Sequence, residues 1–186
     1  MNIHHPSHPW HSVEVGNEAP VFVKAIIEIP RYSKGKYELD KGSGLLKLDR
    51  VLFSSVHYPA NYGFIPQTYS DDHDPLDILV ICSIDVYPMC IVDAKVIGAM
   101  EMIDEDEKDD KIIAVAKYDM SVNYINDLSE LPPHTLVELK RFFEDYKKLE
   151  LKNVTVEQFM DREKAYAIIL ENMKMYQQKK EFLTNL

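Results

Sequence analysis

The sequence predicts an α+β fold with a closed or curled sheet. Three observations carry that expectation. Stretches with strand character fill the chain as far as residue 116. Two amphipathic helical patterns occupy the last third. No internal repeat, low-complexity segment or interdomain linker divides the 186 residues, so strands come first and helices last on a single body.

Taken in order, residues 1–20 form an arm rich in His4, His5, His8 and His11, with Pro6, Pro9 and Pro20. It reads as a surface-draped or mobile arm, with a chelating cluster as the alternative and Trp10 as its anchor to the body. Residues 21–29 alternate as a strand that Pro30 ends, with Val21, Val23, Ala25, Ile27 and Ile29 on one face. Glu28 lies on the other face at the strand's end. It is either a solvated terminus or a site carboxylate. Residues 36–39 and 45–53 make two more strands around a turn at Gly42 and Gly44. Residues 58–66 contain two prolines and a glycine and read as a rigid loop, whose Tyr58 and Tyr62 either pack or present phenols to a pocket. Strands follow at 78–81, 91–102 and 111–116, with Gly98 as a bulge or close approach. Pro132 and Pro133 announce a helix whose Leu136, Leu139, Phe143 and Tyr146 share a face. Asp161 caps a second helix, with a stripe of Ala165, Ile169, Met173 and Tyr176; its last Gln- and Lys-rich residues are expected to fray.

Composition limits the functions available. The chain is 46% hydrophobic and 28% charged, as soluble globular proteins are, and its net charge of -10 disfavours a general nucleic-acid or anionic-membrane binder. Two cysteines, Cys82 and Cys90, are too few for a disulfide framework and fit a reducing cytoplasm. No signal peptide and no membrane-length apolar run are expected.

Chemistry concentrates at residues 71–77, where Asp71, Asp72, Asp74 and Asp77 crowd the entrance to a buried strand. Two such charges about 4 Å apart repel by about 4 kcal/mol at an effective dielectric near 20. The cluster reads as a solvated turn or as a seat for a hard cation such as Mg²⁺, Mn²⁺ or Ca²⁺. Pro75 and the adjoining strand favour the cation by fixing the acids in direction. Residues 104–110 form a second acidic cluster, with Asp104 and Asp109. Lys36, Arg50, Lys111 and Lys147, with the phenols of Tyr58, Tyr62 and Tyr146, form the complementary set that grips phosphate oxygens. Acids and cations on one surface suit metal-assisted phosphoryl transfer. There is no phosphate-binding glycine loop of the P-loop kind, and neither acidic stretch matches an EF-hand.

The motifs converge on a known family. Asp72-His73-Asp74-Pro75-Leu76-Asp77 matches the D-x-D-P-x-D signature, accompanied by Glu28-Ile29-Pro30, Lys36-Tyr37-Glu38, Asp49-Arg50, residues 58–63, Asp104 with Asp109 and Lys111, and residues 142–147. In this order the chain resembles the soluble family I inorganic pyrophosphatases over nearly its whole length, and residues 107–115 resemble the plant-type sequences. The resemblance implies one catalytic domain over 1–186, built as a five-stranded OB-like barrel with flanking helices, two of them C-terminal. It also implies cleavage of pyrophosphate to two phosphates by a metal-activated water attacking in line. Asp74 would be the general base. Glu28, Asp72, Asp77, Asp104 and Asp109 would hold metal. Lys36, Glu38, Arg50, Tyr62, Lys111, Tyr146 and Lys147 would bind substrate, with Lys36, Arg50 and Tyr62 also in the catalytic set and Tyr58 in support. The implied cofactor is Mg²⁺, three to four per site, with Mn²⁺ or Zn²⁺ as substitutes. The implied assembly is a homo-oligomer, a hexamer ahead of a dimer. His73 departs from the pattern, which has a small residue there, often glycine, and it is expected to point outward. The competing readings are a non-catalytic OB-like module for nucleic acid or an anionic metabolite, and a structural calcium-binding domain.

Overall fold

The computed structural model describes residues 8–184, so His4, His5 and Pro6 of the arm lie outside it. The elements run α1 (Pro9–Ser12), β1 (Phe22–Ile29), β2 (Gly35–Leu39), β3 (Leu46–Val51), β4 (Asn61–Phe64), β5 (Asp77–Ile81), β6 (Ile91–Asp104), β7 (Glu107–Lys108), β8 (Lys111–Ala116), α2 (Pro133–Asp145), β9 (Val154–Met160) and α3 (Arg162–Leu183). The fold is α+β, as the pattern of strands and helices predicts.

Pairing closes five strands on themselves. β1 pairs antiparallel with β4 and with β6. β4 runs antiparallel to β5, β5 parallel to β8, and β8 antiparallel back to β6. Closure satisfies both edges of every strand in the ring. β2 and β3 form a separate hairpin, while β7 and β9 add to β6. Register carries the site: Asp77 faces Lys111, Ile29 faces Tyr62, and Lys36 faces Arg50.

Helix α2 packs on β9, and its Leu139, Phe142 and Phe143 share one buried cluster with Leu79 and Ile113 of the ring. Helix α3 lays Ala165 and Ile169 against Ile78, Val80 and Ala114. Each fully buried large apolar side chain contributes about 1.5–3 kcal/mol. Asp161 does cap α3, its side chain accepting from the Lys164 amide at 3.0 Å. At Gly98 the β6–β8 register slips, and an added Cβ would sit 2.5 Å from the Leu128 side chain. Both alternatives raised for that glycine, bulge and close approach, therefore hold.

Three features correct the pattern read from the chain. Residues 61–64, expected as loop, form ring strand β4. Strand β9 lies between the two long helices, so the order is not strictly strands then helices. Helix α3 continues through the Gln- and Lys-rich residues to Leu183, which is itself buried. Trp10 does anchor the arm, as expected: it is only 1% exposed and its indole N–H donates to the Thr68 carbonyl at 2.8 Å. Among the described residues, no helix is long and apolar enough to cross a membrane.

Candidate active site

A cavity of about 320 Å³ opens where the β2–β3 hairpin, the 71–77 loop, the β6–β7 turn and the end of α2 meet. Its walls hold every carboxylate proposed for metal: Glu28, Asp72, Asp77, Asp104 and Asp109. Asp74, Lys36, Glu38, Tyr62, Lys111, Tyr146 and Lys147 line it as well. Of the residues that the resemblance implies, Arg50 and Tyr58 do not line it. The Arg50 guanidinium stands at the rim, where Nε donates to Glu150 at 2.9 Å and Nη1 pairs with Asp49. Tyr58 is buried behind the wall, its ring 5.5 Å from that of Tyr62 and 4.7 Å from that of Phe142.

Local structure explains the convergence. The β5–β8 register brings Asp77 beside Lys111, and the ammonium of Lys111 bonds both Asp77 and Asp109. The Tyr62 hydroxyl, from β4, donates to the same Asp77 oxygen at 2.5 Å. The β6–β7 turn, with Glu105 and Asp106 at positive φ, carries Asp104 to Lys147 at the end of α2. Lys36 bonds Glu38 and Asp49.

Burial and charge set the protonation states. Glu28 is 7% exposed, and its pKa is pushed up to about 8 by burial and then by Asp77, although the Leu39 amide donates to it at 2.7 Å. Burial, with Asp77 next, lifts Asp72 to about 6. Burial opposes the charge on Lys111, but Asp109 and Asp77 outweigh it and hold the ammonium protonated above the usual lysine range. Burial also keeps the phenols of Tyr62 and Tyr146 protonated, so both are donors.

Among the described residues, no three acidic, histidine or cysteine side chains converge on one point that could hold a metal ion. Lysine ammonium groups stand between the carboxylates instead. The donor set still fits a hard cation. It is all oxygen, and Asp104 Oδ1 is buried without a hydrogen-bond partner.

Two cavity-side residues escape the sequence reading. Lys41 lines the cavity and pairs with Asp74. Asp49, quoted only as part of a motif, bonds Lys36 at 3.3 Å. The hairpin pattern foreshadowed neither, because Lys41 sits in the turn and its reach depends on how the hairpin folds over the ring. His73 is exposed, as expected. Its φ of 69° lies in the left-handed region, which explains why glycine suits the position; histidine is among the residues enriched there.

A closed strand ring opening into a cavity of carboxylates, ammonium groups and protonated phenols defines a phosphoryl-transfer enzyme. The family model for inorganic pyrophosphatase matches residues 25–177. Soluble inorganic pyrophosphatase 2 of Chlamydomonas reinhardtii is 54% identical over 92% of this chain and 90% of its own length. Soluble inorganic pyrophosphatase 4 of Arabidopsis thaliana is 54% identical over 91% and 79%. Among solved structures, the inorganic pyrophosphatase of Thermus thermophilus superposes with a TM-score of 0.87 at 39% identity, covering 89% of this chain and 97% of that one. That of Helicobacter pylori gives 0.85 at 42% identity, over 89% and 98%. The chain belongs to the inorganic pyrophosphatase family.

Proposed function

We infer that this chain hydrolyses inorganic pyrophosphate to two phosphates, with Asp74 as general base. The observation that carries the reading is the pair Asp77–Lys111, joined by Asp109 and Tyr62, in a cavity where ammonium donors and carboxylates interleave. Family membership implies dependence on a divalent metal. Asp72, Asp77, Asp109, Asp104 and Glu28 would hold it, and our reading is Mg²⁺, three to four ions per site, with Mn²⁺ or Zn²⁺ able to substitute. When bound, such ions lower the pKa of water and neutralise phosphate charge.

The protein's own groups do the rest. Lys36, Lys111 and Lys147 are sunk in the wall, with side chains 19%, 3% and 13% exposed. They exchange carboxylate partners for phosphate oxygens when substrate enters. Tyr62 and Tyr146 donate to the same oxygens. Arg50 swings in from the rim, and Glu38 steadies Lys36. Asp74, at the mouth, accepts a proton from the attacking water as the bond to the departing phosphate lengthens.

We further read residues 1–186 as one catalytic domain on a five-stranded OB-like barrel, a reading supported by the closed ring β1–β4–β5–β8–β6. Exposed apolar side chains such as Tyr32, Phe53 and Val137 suit contact between copies, and the assembly reading is a homo-oligomer, a hexamer ahead of a dimer. Cys82 and Cys90 are free, which suits the cytoplasm. The net charge of -10 speaks against nucleic acid as a partner.

The test is phosphate release from pyrophosphate with Mg²⁺ and again with EDTA. Metal-dependent release is expected. Folded protein that releases no phosphate with Mg²⁺, Mn²⁺ or Zn²⁺ would overturn the reading.

A further inference from the structure

We propose that Lys41 is a positioning residue for the hydrolysis, holding the carboxylate of Asp74 over the cavity. The inference rests on Asp74 being the general base.

The loop fixes the backbone of Asp74 but not its carboxylate. Its amide donates to Asp72 Oδ1 at 3.1 Å, and its carbonyl accepts from the Ser70 amide at 2.8 Å. Its carboxylate, on a side chain 49% exposed, is left to the one cation that the described residues bring to it, the ammonium of Lys41. The same ammonium donates to the His73 carbonyl at 3.1 Å. It therefore clamps two consecutive residues of the 71–77 loop, one of them in the left-handed region.

Lys41 is itself held from behind. Its turn is closed by Asp40, which accepts from the Ser43 amide at 2.9 Å through its side chain and from the Gly44 amide at 2.8 Å through its carbonyl. The His8 ring meets the Lys41 carbonyl at 2.9 Å, and the ammonium lies 6.0 Å from the Trp10 ring. Trp10 in turn bonds Thr68, whose hydroxyl accepts from the Leu76 amide at 2.9 Å. The docked arm and the hairpin turn thus brace Lys41 from one side and the catalytic loop from the other. An exposed ion pair of this kind contributes little to folding. Aim is another matter, because small misplacements of a reacting group are costly in rate.

The experiment measures kcat and KM for pyrophosphate with saturating Mg²⁺ in the full chain carrying Lys41→Met, Lys41→Arg, Asp74→Asn or Lys41→Met with Asp74→Asn. Lys41→Met is expected to lower kcat about tenfold with KM and melting temperature little changed, and Lys41→Arg to restore most of the loss. In the Asp74→Asn background, Lys41→Met is expected to change kcat by less than about twofold, because the group it aims is gone. Unchanged kcat in Lys41→Met, beside a crippled Asp74→Asn, overturns this inference and leaves the base assignment standing. A rise in KM at constant kcat that persists in the Asp74→Asn background makes Lys41 a phosphate grip and also overturns it. Wild-type kcat in Asp74→Asn removes the base assignment, and the inference with it.

Discussion

Glu28 shows how a single residue carries the tension of the site. Its pKa is raised from 4.5 to about 8 by burial and by Asp77. In the folded chain its neutral form is favoured, so the native state binds more protons than the unfolded state between those values. Stability from this group is complete below about pH 4.5, falls as pH rises through the window and is lost above about pH 8. At about 1.4 kcal/mol per pKa unit the effect amounts to several kcal/mol. Glu28→Gln keeps an oxygen for the Leu39 amide and has no proton to lose. In EDTA, melting temperature followed from pH 5 to pH 9 is expected to fall for the wild type and to stay flatter for Glu28→Gln, which becomes the more stable protein above about pH 8. Parallel curves would mean that Glu28 is ionised without penalty. At this scale much of the site was legible. The D-x-D-P-x-D run is local, and the apolar runs that follow Asp77 and Lys111 put both at strand starts, while the register that sets them side by side was not legible. Lys41 and Glu150 were not legible, because their partners lie across folds of the chain that no local pattern describes.

Among the elements, β4 is held by closeness rather than by propensity. Pro59 and Gly63 punctuate residues 58–66 as a loop, yet Asn61–Phe64 pairs on both sides. Gly63 is the reason. An added Cβ would stand 1.9 Å from the Ile26 carbonyl oxygen and 2.8 Å from Ile27 Cα. The glycine that argues for a loop is what lets β4 lie against β1 and aim Tyr62 at Asp77. Gly63→Ala is expected to cost at least about 3 kcal/mol in urea unfolding, since backbone must move on both strands. A midpoint within error of the wild type would show that the ring yields more easily than its geometry implies. The start of α3 offers a milder case, and there the local pattern was read correctly. Asp161→Ala removes a cap on the Lys164 amide and is expected to cost about 1 kcal/mol, with activity kept. Strand β9 carries only a short local mark, the β-branched Val154-Thr155-Val156, and its length is set by pairing with β6.

For the molecule as a whole, the balance of charge decides the last point. The chain carries a net charge of -10, and its cavity gathers carboxylates of which Asp77, Asp109, Asp104, Glu38 and Asp74 pair with lysines. On the proposed assignment, substrate takes some of those lysines, since phosphate oxygens compete for the same ammonium donors. The carboxylates are then left facing one another unless cations replace what the lysines supplied. On that assignment metal and anion share one site and bind to it cooperatively. It follows that Mg²⁺ alone must compete with the lysines and stabilises the fold modestly, while Mg²⁺ with phosphate stabilises it more than the two separate effects combined. At a concentration about a hundred times its dissociation constant, a ligand adds about 2.7 kcal/mol, which for a chain of this size raises melting temperature by roughly 5–10 °C. Matched ionic strength from NaCl screens the surface but supplies no ligand to the cavity, so it separates general relief of repulsion from binding. The expected order of melting temperatures is apo with NaCl, then Mg²⁺, then Mg²⁺ with phosphate, and Asp77→Ala is expected to collapse the three. If NaCl reproduces the Mg²⁺ shift, the cavity acids behave as surface charge, and their role as ligands fails.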